Sequence, residues 1–171
     1  MTPFDVQDVL SSMKILVDTR EQPSMRAEKR YKSFFCPYRR QKLDFGDYSA
    51  EFTLPGGDLR QLPAYVERKM SMDELAGCFT HDRKRFQAEF ERASAADASG
   101  WLLVENASWE NLLAGKYRSK FSEKAFLASI TAWSVRYNLK LIFCKEQSSG
   151  RLIKEILYRE LKERLERGVY G

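Results

Sequence analysis

The chain has 171 residues, 43% of them apolar and 31% charged, with a net charge of +5; that suits one globular domain with a real core and is unlike a disordered chain. No stretch is long and apolar enough to span a bilayer, and the acidic start MTPFDVQDVL lacks the basic n-region of a signal peptide. Cys36, Cys78 and Cys144 are widely spaced and His81 is the single histidine, so neither a zinc site nor a disulfide framework is expected, and a non-secreted setting fits: cytoplasm or nucleoid, or the nucleus if eukaryotic.

In chain order, KILVD at 14–18 reads as a buried strand, and Pro23 marks a break. Residues 39–43 and 47–54 read as two strands joined through 44–46, followed by a turn at LPGGD (54–58) and a further strand at 63–69. Ser71 and Glu74 have the form of a capping box, so a helix should start there. A second helix is expected at 83–96, with Phe86, Phe90 and Ala93 on one face. Then follow a strand at 101–105, a helix at 122–137 with Phe126, Ile130 and Trp133 on one stripe, and a strand at 139–145. An amphipathic helix at 148–167 ends the series. Alternating strands and helices predict an α/β fold, a mixed central sheet flanked by helices, in a single domain over 1–171.

Much of the excess positive charge sits in RAEKRYKSFFCPYRRQK at 26–42, which holds Arg26, Lys29, Arg30, Lys32, Arg39 and Arg40 among seven basic residues against one acid. Two readings stand side by side. The basic residues neutralise phosphates of a polyanionic partner while the interleaved aromatic rings stack on bases or pack beneath the backbone, or the segment is a solvated face over core aromatics.

Glu67 and Lys69 lie two apart in an expected strand, so they face one side while Arg68 faces the other. The pair is either an ion pair or a metal ligand beside a cation that activates water or steadies phosphorane charge. Asp47 follows Gly46, which permits a tight backbone approach at a strand start. Two converging carboxylates make a hard-oxygen site suited to Mg²⁺, and Asp18, at the end of the first strand, is a third acid within the same argument. A metal there lowers the pKa of a bound water and neutralises phosphodiester charge.

VDTREQ (17–22), LDFGDY (43–48), VERKMSMDEL (66–75) and DRKRFQAEF (82–90) occur in that order. This set resembles the nuclease domain of the XPF family, structure-specific endonucleases of the restriction-endonuclease-like superfamily. The family hallmark is GD, a variable gap, then ERK-x-x-x-D. Here Gly46-Asp47, Glu67-Arg68-Lys69 and Asp73 fill every defined position. The order of elements extends the resemblance over about 14–145, and its specific motifs lie within 18–89. It implies a restriction-endonuclease-like three-layer fold and a metal-dependent DNA endonuclease using Mg²⁺ or Mn²⁺, with branched DNA or single/double-strand junctions as candidate substrates. Asp47 and Glu67 would bind the metal, Lys69 would assist the attacking water, and Asp18 would be a further acidic ligand, direct or through water. Arg20, Glu21 and Arg85 match family positions that contact phosphate or orient ligands. Arg68 and Asp73 belong to the motif with their roles open: Arg68 also suits an ion pair across the sheet, Asp73 the first turn of a helix, and Arg85 a solvated helix face. His81 reads as a polar residue at a helix boundary, not as a base.

Many family members carry a tandem helix-hairpin-helix module, for which this sequence has no G-x-G signature, so the expectation is a cutting core without its usual DNA-shape reader. Family domains also pair, and residues 121–165 are the expected interface of a homodimer or heterodimer. Two alternatives remain: a catalytically inactive DNA-binding scaffold of the same fold, and an interaction protein in which Glu67 and Lys69 are only an ion pair.

Overall fold

A computed structural model describes residues 2–170. In chain order the elements are α1 (Pro3–Ser11), β1 (Lys14–Val17), α2 (Met25–Lys32), β2 (Tyr38–Arg40), β3 (Tyr48–Thr53), β4 (Leu59–Gln61), β5 (Ala64–Lys69), α3 (Met72–Phe79), α4 (Arg83–Ala95), β6 (Ser99–Glu105), α5 (Trp109–Leu113), α6 (Glu123–Arg136), β7 (Lys140–Cys144) and α7 (Glu146–Glu166). The seven strands form one sheet in the order β2-β1-β3-β5-β6-β7, with β4 on β3. β1 runs parallel to β2 and antiparallel to β3, and β6 runs parallel to β7, so the sheet is mixed. The α/β class and the helix-flanked mixed sheet expected from the sequence are therefore present.

One strand differs from expectation. The strand expected at 39–43 is shorter, Tyr38–Arg40, and pairs with β1, which lies between it and β3. The reason is burial. Ile15, Leu16 and Val17 of β1 are fully buried and the strand is paired on both edges, whereas β2 is exposed throughout and suits the sheet's rim.

The described chain divides into two compact units, and β5 runs from one into the other. The first holds residues up to Leu43, Asp47–Tyr65, and the chain from Gly150 onward. Its core joins Ile15, Tyr31, Phe34, Tyr48 and Phe52 to Ile153, Ile156, Leu157, Leu161 and Leu165, which recur at helical spacing on α7. α7 begins against the end of α2: a Cβ at Gly150 would run into Ser33 Oγ and the Arg30 carbonyl oxygen, so only glycine permits this approach.

The second unit holds Asp44–Gly46 and Val66–Ser149. Its core is aromatic. Phe79 and Phe86 lie 4.8 and 5.4 Å from Trp133, and Phe90 lies 4.7 Å from Phe86. These rings come from α3, α4 and α6 and bury large apolar areas in edge-to-face or tilted contact. Ser71 and Ser122 cap α3 and α6 by accepting from Glu74 and Ala125 backbone N–H groups, which starts both helices where the sequence places them. Among the described residues, no helix is long and apolar enough to cross a membrane.

Candidate active site

In the first unit, Asp18 ends β1 with a fully buried side chain. Its Oδ1 accepts from the Arg20 backbone N–H and from Arg20 Nε, both at 2.7 Å, and its Oδ2 accepts from Leu43 N at 2.7 Å and Arg20 Nη2 at 3.2 Å. Burial alone would raise its carboxyl pKa, but the bonds from Arg20 and the Leu43 N–H outweigh that and hold it below the usual range. A carboxylate offers about four lone-pair directions, and all are taken here. Asp18 thus fastens the turn after β1 to the segment before Gly46.

The Asp18 N–H in turn donates to the Asp47 carbonyl at 2.9 Å, which fixes the start of β3. Glu21, expected near phosphate or ligands, is turned inward: it accepts from Arg30 Nη1 at 3.0 Å, and the same nitrogen donates to the Tyr48 hydroxyl at 3.1 Å. Arg30 is only 5% exposed, so it is a buried clamp between Glu21 and Tyr48 and not part of a phosphate-facing surface. Asp47 itself is half-buried.

In the second unit, the glycine of the GD motif has φ 73°, a left-handed conformation that favours glycine. Its N–H donates to Glu89 Oε1 at 2.8 Å, and Arg92 Nε donates to the Asp44 carbonyl at 3.2 Å. α4 therefore holds the 44–46 turn that precedes Asp47. Glu89 was not singled out as a site residue; the signal was its place in DRKRFQAEF, which matters only once that helix meets the turn.

β5 presents Glu67 and Lys69 to one side, as its period of two requires. Lys69 Nζ lies 2.5 Å from Glu67 Oε1 and 4.9 Å from the centre of the Phe86 ring. Both side chains are nearly buried. The ammonium is thus held between a carboxylate and an aromatic face, in a setting where charge interactions are less screened than in water. Arg68 faces the other way and donates to Glu105 Oε2 on β6 at 3.0 Å, which is the ion-pair reading of that residue.

Asp73 lies in the first turn of α3. Its Oδ1 accepts from the backbone N–H groups of Arg118 and Ser119, both at 2.8 Å, and its Oδ2 accepts from Arg118 Nε at 3.3 Å. Burial raises its pKa, but these bonds prevail and hold the carboxyl below its usual value. Arg85 is on the surface, with an 82% exposed side chain 3.6 Å from Asp82. Arg83, two residues earlier and also exposed, lies 5.5 Å from the Trp133 ring and donates to the Phe79 carbonyl at 3.3 Å. His81 is an exposed boundary residue 3.6 Å from Asp82.

The six basic residues expected on a DNA surface separate into two groups. Arg26, Lys29 and Lys32 are exposed on α2. Arg39 gives a two-pronged bond to Glu51, at 2.9 and 2.6 Å, and this bond, against opposing burial, holds the Glu51 carboxyl low. Arg40 donates to the carbonyls of Thr19 and Glu21, and Arg30 is buried as described.

Among the described residues, no group of three or more His, Cys, Asp or Glu side chains is gathered to hold a metal ion. The donor set suits a hard cation bound through one or two carboxylates with water completing its shell, the usual way Mg²⁺ is held. Asp47 lies in the first unit and Glu67 in the second.

The ERCC4 domain family matches residues 17–156. The fold is similar to that of XPF from Aeropyrum pernix, at 21% identity and a TM-score of 0.60, over 84% of this chain and 59% of that one. It is likewise similar to the Aeropyrum pernix XPF solved in complex with DNA, at 22% identity and a TM-score of 0.62, over 89% of this chain and 66% of that one. The chain thus spans less than two thirds of the length of either. No curated protein matches it in sequence. With the family match covering most of the sequence, and β5 carrying the ERK triplet on a sheet of this topology, the chain belongs to the ERCC4 domain family and has the fold of an XPF-type nuclease domain.

Proposed function

We propose that this protein is a metal-dependent endodeoxyribonuclease that hydrolyses phosphodiester bonds, with branched DNA or single/double-strand junctions as its substrates. The observation that carries the reading is the Glu67–Lys69 pair, held on one face of β5 against Phe86 within a complete GD…ERK-x-x-x-D motif. An XPF of the same fold has been solved with DNA, which supports DNA as the polymer recognised.

In this reading Asp47 and Glu67, by their motif positions, hold Mg²⁺ or Mn²⁺. When bound, such an ion lowers the pKa of water and neutralises charge on the phosphodiester. Lys69 supplies a fixed positive charge beside the reacting phosphate and stabilises the charge that builds on its oxygens. Glu67 holds the ammonium in place. Asp18 acts through position: it fastens the backbone on either side of the GD turn. The exposed Arg26, Lys29 and Lys32 of α2 take up DNA phosphates. The same reading pairs two copies through residues 121–165, where Val135 is 85% exposed and every residue of β7 is half-buried; sedimentation velocity tests that pairing.

The test of the activity is cleavage of labelled forked, flapped and linear DNA with Mg²⁺ or Mn²⁺, using wild type, Asp47→Ala and Lys69→Ala. Cleavage by wild type and loss of at least about a hundredfold in each variant is expected for groups acting on the reacting phosphate. Salt-sensitive binding with no metal-dependent cutting would leave the inactive scaffold as the better reading. Absence of both binding and cutting would leave the interaction protein.

A further inference from the structure

The sequence GKYRSKF at 115–121 lies outside every motif that identifies the family, and its side chains alternate. Lys116, Arg118 and Lys120 are exposed, while Tyr117, Ser119 and Phe121 are half-buried. The inward residues are anchored. The Tyr117 hydroxyl donates to the Phe121 carbonyl at 2.7 Å, and both rings lie 5.4 Å from Phe126 on α6. Asp73 grips the middle of the segment through the Arg118 and Ser119 backbone N–H groups and through Arg118 Nε. Arg118 nevertheless has a 92% exposed side chain, and it is Nε that bonds to Asp73. Three cations at every second position of a bent segment, fastened by its inward residues, present a cluster of charge on a backbone with little order left to lose on binding.

We propose that residues 116–120 form a phosphate-binding strip for the DNA sugar-phosphate backbone, and that Asp73 is the positioning residue that holds it. The Arg118 fork suits bidentate contact with one phosphate, and the flanking lysines act as point charges on its neighbours. The Asp73 charge does not oppose this, because Arg118 pairs with it. The last member of the ERK-x-x-x-D pattern thereby acquires a positioning task at this segment. This proposal rests on the DNA reading above.

The test is equilibrium binding of a fluorescein-labelled forked duplex in EDTA, between about 50 and about 200 mM salt, with wild type, the triple variant Lys116→Ala/Arg118→Ala/Lys120→Ala, Asp73→Ala, Asp73→Asn and a wild-type-like fold check by circular dichroism. Three phosphate contacts give a salt slope of about 0.9 each, so over that range the wild-type affinity should fall about 40-fold more than that of the triple variant. Asp73→Ala should lower affinity part of the way and flatten the slope. Asp73→Asn, whose carbonyl still accepts from both backbone N–H groups, should recover most of the loss. Adding Asp73→Ala to the triple variant should change nothing more. A folded triple variant with the wild-type slope overturns the strip while leaving the nuclease reading intact. An Asp73→Ala protein that binds normally but cleaves poorly overturns the positioning role. Wild type that binds no DNA overturns both the strip and the reading beneath it.

Discussion

Replacing Arg68 by methionine isolates the ion pair between β5 and β6. Arg68 donates to Glu105 at 3.0 Å, the Glu105 side chain is 2% exposed and that of Arg68 is 15% exposed. The Glu105 carboxyl would stay in a place water barely reaches, now without the guanidinium. Breaking a buried pair from one side costs about 3–5 kcal/mol; the residual exposure of Arg68 puts the expectation near the lower end, about 3 kcal/mol. For a chain of this length each kcal/mol moves the melting temperature by about 2–4 °C, so a fall of about 6–12 °C is expected. Replacing both partners, Arg68→Met with Glu105→Leu, removes the stranded charge together with its partner and should cost well under the sum of the two single changes. Urea denaturation of wild type, both single variants and the double variant closes the cycle. A single-variant loss below about 1 kcal/mol, or a double loss equal to the sum of the singles, refutes the argument that desolvation of Glu105 sets the cost.

Asp18→Asn probes the clamp before the GD turn. Because the folded carboxyl pKa is lowered, its ionised form stabilises the fold above the unfolded value of about 3.9, and that contribution disappears as pH falls through the folded value. Thermal melts should therefore show wild type above Asp18→Asn at neutral pH and the gap closing below about pH 4; a gap independent of pH would contradict the assignment. Gly150→Ala puts a Cβ against the Arg30 carbonyl oxygen, where backbone must move, and should cost about 1–3 kcal/mol in urea. Phe35 holds φ 53° with an 85% exposed ring, so Phe35→Gly relieves about 1–2 kcal/mol of backbone strain against about 0.5–1 kcal/mol of added chain entropy. A melting temperature at or slightly above that of wild type is expected; a clear fall would mean that the ring packs against something.

Elements with strong local signals were legible in the sequence. α3 and α6 begin at Ser71 and Ser122, whose hydroxyls cap them, and α4 and α7 show their buried stripes at helical spacing. α1 carries a capping box too, but with Asp5 in place of glutamate, and only nine residues follow the cap, so the pattern is weak. α2 was hidden by its own charge: six of its eight residues are Arg, Lys, Glu or Tyr, and it presents only Ala27, Arg30 and Tyr31 to the core. β4 and α5 are too short, at three and five residues, to show a period.

The motif residues were legible as a set, and the side to which Glu67, Arg68 and Lys69 point follows from the strand period alone. What each residue touches was not, because those partners lie far along the chain. Asp18 meets Leu43, Gly46 meets Glu89, Arg68 meets Glu105 and Asp73 meets Arg118. Of the basic run at 26–42, the sequence set the charge, but tertiary packing decided that Arg30 is buried, that Arg39 is spent on Glu51, and that Arg26, Lys29 and Lys32 face solvent.

By itself, then, the sequence determined the α/β class and the family, and it marked Asp47, Glu67 and Lys69 as a set, since period, capping and motif order are legible along the chain. Only the tertiary structure decided that β1 lies between β2 and β3, that Asp18 is a saturated clamp, and that Asp73 holds a basic strip 45 residues away. The physical reason is the same in each case: burial and hydrogen-bond saturation are set by partners that local sequence cannot name.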